Sequence, residues 1–226
     1  MKTIVIIGAS RGIGNAIANQ LSPDHRIINI SRNNPDNLQN IINFNLDILT
    51  DTLPEIEEVD ALIYCPGSIN LKPISRLKLD DFRNDFEINV MGAVKAIQHF
   101  LPKLKNGNNP SIVLFSTVAA KLGMPFHASI AAAKGAVEGI TKSLGAELAP
   151  TIRVNAIAPT VTNTDLASKL LRNERMIENI KERHPLKKYL EPNEVAAMAK
   201  FLISDEAKSI SGQTFELDCG IVSFKI

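Results

Sequence analysis

The segment TIVIIGASRGIG, Thr3 to Gly14, constrains the fold more than any other stretch of the chain. An apolar run short enough for a strand passes directly into three glycines, Gly8, Gly12 and Gly14, and then into a helical pattern. In such a turn Gly8 permits a tight reversal, Gly12 lets the backbone approach a pyrophosphate, and Gly14 allows the helix to pack closely. The helix start presents free N–H groups and the positive end of its dipole to an anion. The turn residues Gly8, Ser10, Arg11, Gly12, Ile13 and Gly14 are therefore candidate dinucleotide ligands. No Lys-Ser/Thr pair follows the glycines, which argues against ATP or GTP hydrolysis.

The rest of the chain repeats the strand-then-helix rhythm. Apolar runs recur at Arg26 to Ser31, Ile41 to Leu46, Val59 to Cys65, Ser111 to Ser116, Thr151 to Ile157 and Gln213 to Asp218. Helical patterns cover Gly12 to Leu21, Asp80 to Leu104, Ala128 to Leu148 and Glu191 to Ile203, with Pro102 bending or ending the second near its last turn. This alternation predicts a single Rossmann-type α/β/α domain over 1–226, with a seven-stranded parallel sheet whose strands are buried on both faces. The charged stretch 160–190 is a variable segment on the substrate side, read either as a mobile element or as a solvated helix.

Composition bounds the partners. Lys plus Arg number 25 against 24 Asp plus Glu, so no broad field favours nucleic acid or an anionic membrane. The two cysteines, Cys65 and Cys219, form no disulfide framework and fit a reducing cytoplasm. No apolar stretch approaches the roughly 20 residues that span a bilayer. A soluble cytoplasmic protein is expected.

Charge also bears on the choice of nucleotide. Arg32 follows the second strand, where an NAD site usually places an acid, and Arg11 lies in the glycine turn. Two guanidinium groups could share a 2'-phosphate through bidentate bonds, so NADP(H) is favoured over NAD(H). Asp47, after the third strand, is a candidate acceptor for the adenine amino group or simply an acid at a strand end. Cys65, Pro66 and Gly67 close the fourth strand at the carboxyl edge, where open α/β sheets bind ligands, with Tyr64 packed beneath.

Further segments extend the pattern: INVMGAV around Asn89, STVA from Ser116, IAAAKGAVEGITKSLGAEL from Ile130, IRVNAIAPTVTNTDL from Ile152, and ISGQTFELDCG from Ile210. With GASRGIG, these collinear stretches resemble the short-chain dehydrogenase/reductase family over essentially the whole chain, particularly its compact 3-oxoacyl-carrier-protein reductases. The resemblance implies an NADP(H)-dependent carbonyl reductase working as a homodimer or homotetramer through its long helices. It further implies that Asn89 completes a water-linked proton path, that Lys134 holds the nicotinamide ribose, and that Thr117 takes the place of the serine that orients the carbonyl. Pro159, Thr162 and Thr164 fall where carboxamide and pyrophosphate contacts are expected, though both threonines also suit ordinary turns.

The family's proton-donating tyrosine falls at Ile130. Positions 130 and 134 are i and i+4 on one helix face, so a one-residue shift would spoil the lysine match. Ser129 is expected to cap the helix. Isoleucine has no proton to give, and losing one well-placed acid typically costs about 10² to 10⁴ in rate. Tyr64, Tyr189 and His127 are the residues considered as substitutes. Three readings result: an oxidoreductase with impaired proton delivery, a catalytically silent protein whose bound nucleotide controls association, or a specialised enzyme whose substrate brings its own acid or accepts hydride at an activated C=C or C=N bond.

Overall fold

A computed structural model describes residues 1–34 and 41–224. Seven strands, β1 (Thr3–Ile7), β2 (Arg26–Ser31), β3 (Ile41–Asn45), β4 (Ala61–Tyr64), β5 (Ser111–Phe115), β6 (Arg153–Pro159) and β7 (Thr214–Leu217), form one parallel sheet in the order β3-β2-β1-β4-β5-β6-β7. After β1 the chain first builds outward to β2 and β3, then returns to place β4 on the other side of β1. The carboxyl ends of β1 and β4 thus flank the point where the winding reverses, the usual location of a ligand crevice in such sheets.

Period-two alternation divides the strand side chains between two cores. Val5, Ile7, Ile28, Ile30, Leu62 and Leu114 face one side, where α3 (Gly92–Leu104) and α4 (Ala128–Glu147) contribute Phe100, Leu104, Ala133 and Val137. Ile4, Ile6, Ile27, Ile63 and Val113 face the other, covered by Ile17 and Leu21 of α1 (Gly12–Leu21) and Val195 and Leu202 of α6 (Pro192–Ile203). Double-sided burial holds for β1 and the central strands. It fails at the edge: β3 leaves Ile42 and Asn43 exposed, and among the described residues no further strand or helix covers that flank.

The expected helix from Asp80 to Leu104 is two helices joined by a π turn. α2 (Leu79–Phe86) leads into π-helical Glu87–Met91 and then α3. Tyr64 explains the interruption. Its hydroxyl donates to the Ile88 carbonyl at 2.6 Å, and a β-carbon at Gly92 would lie 2.2 Å from that hydroxyl, so the ring occupies space that the next helical turn needs. Pro102 is accommodated within α3, which ends at Leu104. α4 also starts differently from expectation: His127 is its N-terminal flanking residue, whereas Ser129 is already helical, buried, and without a hydrogen-bond partner for its hydroxyl among the described residues. Having helical backbone itself, Ser129 is past the position from which a cap can reach the first N–H groups.

The charged stretch after β6 contains an ordered helix, α5 (Glu174–Arg183), begun by the Asn173 side chain accepting from Met176 N–H at 3.0 Å. At its end His184 is buried, with Nδ1 2.6 Å from the Ile180 carbonyl and Nε2 2.7 Å from the Thr160 hydroxyl. Nδ1–H donating to the carbonyl leaves Nε2 to accept from Thr160, tying α5 to the end of β6. No helix among the described residues is long and apolar enough to cross a membrane.

Candidate active site

The glycine turn is built as close backbone packing requires. Gly8 has φ +85°, and a β-carbon at Gly14 would stand 2.2 Å from the Gly8 carbonyl oxygen, so α1 can leave the turn only without a side chain there. Asn29, buried in β2, fixes the turn from below: its Oδ1 accepts from Ala9 N–H at 3.0 Å, while its Nδ2 donates to Ser31 Oγ and Asn43 Oδ1, both at 2.9 Å. No side chain caps the start of α1. A cavity of about 440 Å³ lies beside that helix end, lined by Gly12, Asn15, Asn163, Thr164 and Asp165 among others. Uncapped N–H groups at a glycine cradle suit a pyrophosphate.

The remaining nucleotide candidates border this turn. Pro66 lies against Gly8, and Thr164 against Gly12. Thr162 Oγ1 donates to the Thr160 carbonyl at 3.0 Å, and Thr164 Oγ1 to the Thr162 carbonyl at 3.3 Å, so both hydroxyls stabilise the loop after Pro159. Asp47 Oδ1 accepts from Leu49 N–H at 2.9 Å within its own turn. Arg32 is exposed at the end of β2. Arg11 is also exposed and pairs with Asp165 at 3.8 Å. Between exposed side chains such a pair is weak, so Asp165 holds Arg11 only lightly.

The chemistry-bearing residues meet one layer further along the sheet. Lys134, buried on α4, donates from Nζ to the Phe115 carbonyl at 2.8 Å. Burial pulls its ammonium down to about 8, against opposing attraction from Cys65 and Asp85. Desolvation likewise pushes the Cys65 thiol up to about 12, so it stays neutral under ordinary conditions. Asn89 lies in the π turn, buried, with Nδ2 donating to Ser68 Oγ at 2.9 Å and to the Asp85 carbonyl at 2.7 Å. A β-carbon at Gly67 would find Asn89 Oδ1 at 3.5 Å and Lys134 Nζ at 3.8 Å. Three of the expected residues therefore converge on one spot.

Thr117 begins the short turn Val118–Ala120, its hydroxyl oxygen a long 3.4 Å from Ala119 N–H and 3.5 Å from the Pro159 carbonyl. Contacts this long leave the hydroxyl free to reorient. Ile130 is buried one turn before Lys134 and brings only methyl and methylene groups to that face. Tyr64 is not available as a proton donor: its hydroxyl is committed to Ile88, and burial raises its pKa well above the ordinary phenol range. His127 has Nδ1 2.7 Å from the Pro125 carbonyl, which ties the ring to its own loop.

Several participants were not singled out by sequence reading. Asn29 is hidden because it sits among apolar residues of a strand, and His184 because it lies far from Thr160 in the chain. Asp85 gave a faint signal, one carboxylate a helical turn before Asn89, that sequence reading did not take up.

Comparison with known proteins places these features in context. The Enoyl-(Acyl carrier protein) reductase family matches residues 46–222. The 3-oxoacyl-[acyl-carrier-protein] reductase FabG of Rickettsia felis is 33% identical over 98% of this chain and 97% of its own length. The FabG of Thermotoga maritima is 31% identical over 98% of each chain. Among solved structures, the ligand-free aldohexose dehydrogenase of Thermoplasma acidophilum superposes with a TM-score of 0.90 at 25% identity, over 99% of this chain and 95% of that one. A variant of the actinorhodin polyketide ketoreductase, solved with NADPH, gives 0.88 at 25% identity over 99% and 98%.

Proposed function

The chain belongs to the short-chain dehydrogenase/reductase family, and from that premise we propose that it is an NADP(H)-dependent oxidoreductase of 3-oxoacyl or related carbonyl compounds in which proton delivery is impaired. The convergence of Lys134 and Asn89 at Gly67, with Ile130 one turn before the lysine, carries this reading. The substrate class is supported by the reductases the chain resembles, and the nucleotide by the ketoreductase solved with NADPH. When bound, NADPH would supply hydride to an electrophilic carbonyl carbon.

The protein's own contribution is binding and orientation. The Gly8–Gly14 turn, with Ser10 and Ile13, and the start of α1 would hold the pyrophosphate; Arg11, once released from Asp165, and Arg32 would hold the 2'-phosphate. Asp47 would accept from the adenine amino group, and Cys65 to Gly67 would turn the backbone past its ribose. Lys134 would donate to the nicotinamide ribose hydroxyls, while Pro159, Thr162 and Thr164 would form the carboxamide side. Thr117 orients the carbonyl oxygen, but an aliphatic alcohol is too weak an acid to protonate the product well at neutral pH. Ile130 supplies no proton, so the alkoxide left by hydride transfer would lack a well-placed acid.

A second reading, a nucleotide-responsive binding protein with no turnover, follows from the same position, where Ile130 brings no ionisable group. Localisation is read as cytoplasmic, consistent with free Cys65 and Cys219. Exposed Leu79, Phe86 and Met91 on and beside α2 support a homodimer or homotetramer; the substitution Phe86→Glu should shift sedimentation toward monomer, and an unchanged profile would remove that face from the interface.

The test is direct titration with NADPH and NADH, followed by turnover of a 3-oxoacyl thioester. NADPH should bind at least about tenfold more tightly, and Arg32→Ala should cost about 1–3 kcal/mol in NADPH affinity while sparing NADH. Equal affinities in the parent protein would defeat the nucleotide assignment. NADPH binding with no detectable turnover would favour the binding-protein reading.

A further inference from the structure

Asp85 is a carboxylate with no exposed surface, one helical turn before Asn89 on α2. A buried carboxylate is costly unless hydrogen bonds and an opposite charge compensate it. The hydrogen bonds are present: Oδ1 accepts from Ser68 Oγ at 2.6 Å and from Asn70 Nδ2 at 3.0 Å. Oδ2 and the neighbouring Asn89 Oδ1 have no protein partner among the described residues.

The opposite charge can be identified by elimination among the buried charged side chains described. Arg153 is committed across the sheet to carbonyls at the end of α6. Lys134 is the buried cation at the near end of the same polar cluster. From Asp85 the cluster runs through Ser68 Oγ to Asn89 Nδ2, and Asn89 Oδ1 and Lys134 Nζ then flank the single position above Gly67. The two charges do not touch. They are joined through polar groups, the buried Asn89 and the half-buried Ser68, at the exposed turn of Gly67.

We propose that Asp85 is a positioning residue for Lys134: its buried carboxylate, fixed by Ser68 and Asn70, keeps the Lys134 ammonium charged at neutral pH, beside the place that Ile130 leaves without an acid. The charged and titratable groups around Lys134 are few. Asp85 approaches from α2, and the Cys65 thiol follows β4 and is neutral below about 12. Glu138, one turn further along α4, accepts from Ser116 Oγ at 2.7 Å. Asn89 and the Phe115 carbonyl are uncharged. Burial draws Lys134 down against opposing contributions from Cys65 and then Asp85, and with the Cys65 thiol neutral the carboxylate is the group left to act.

This inference rests on reading Lys134 as the cation of the nucleotide site, so its test does not require nucleotide. The full chain carrying ¹³C-labelled lysine is titrated by NMR, with the Lys134 signal assigned by its disappearance in Lys134→Arg. In Asp85→Asn, and in Asp85→Ser as a second neutral replacement, the Lys134 midpoint should fall by about one pH unit. Ser68→Ala, which removes a bond but no charge, should shift it much less. NADPH affinity, measured separately across pH, should lose its dependence on Asp85 when Lys134 is Arg. A Lys134 midpoint unchanged in a folded Asp85 variant would overturn the proposal and leave Asp85 a merely structural residue. Failure of the parent protein to bind NADPH would instead count against the nucleotide reading and leave the charge pairing standing.

Discussion

At the scale of single residues, Lys134 sets a pH dependence that can be worked through. Its folded value of about 8 lies below the ordinary 10.5, so between these limits the unfolded chain binds the extra proton. Its burial cost is therefore fully present below about pH 8 and relieved as pH rises toward 10.5. The difference in stability between Lys134→Met and the parent should shrink in that window by roughly 2–3 kcal/mol. Denaturant unfolding of both proteins at pH 7 and pH 10 checks this; parallel pH dependences would contradict it. Gly92 gives a second residue-scale prediction. Gly92→Ala should destabilise by about 1–3 kcal/mol through overpacking, and Tyr64→Phe should recover part of the loss because the hydroxyl is the nearest atom. If the loss is the same in both backgrounds, Tyr64 is not what excludes a side chain there.

At the scale of elements, the strands and most helices were legible in the sequence because apolar runs and helical recurrence report burial directly. The π turn was not, since it depends on Tyr64, a residue from another strand, pressing into the helix. The start of α4 was misread for a related reason: Ser129 suits a cap by type, but the turn before it already places His127 at the helix start. The exposure of β3 reflects its edge position, which a strand's own composition does not reveal. Arg153 shows how elements are stapled together. From β6 its Nη1 donates to the Leu202 and Ala207 carbonyls at 2.8 and 3.0 Å, and its Nη2 to Ser204 at 3.3 Å, satisfying the end of α6. Arg153→Met should cost about 2–4 kcal/mol by leaving those buried carbonyls without their charged donor; a melting curve indistinguishable from the parent's would refute this.

At the scale of the whole molecule, the winding reversal between β1 and β4 brings together the glycine turn, Gly67, Asn89 and Lys134, which are scattered through the sequence. Most of the candidate site was legible because each residue lies in a recognisable local pattern. Asn29, Asp85 and His184 were not, because their significance lies in contacts between segments distant along the chain. The central claim is that this assembly is a reductase framework lacking its acid at position 130. Restoring a phenol with Ile130→Tyr and comparing NADPH oxidation with the parent on a 3-oxoacyl thioester tests it most directly, after NADPH binding by both proteins is confirmed. A gain of about 10² to 10⁴ in turnover is expected. No gain, with binding intact and the variant folded, would contradict the claim that only the acid is missing.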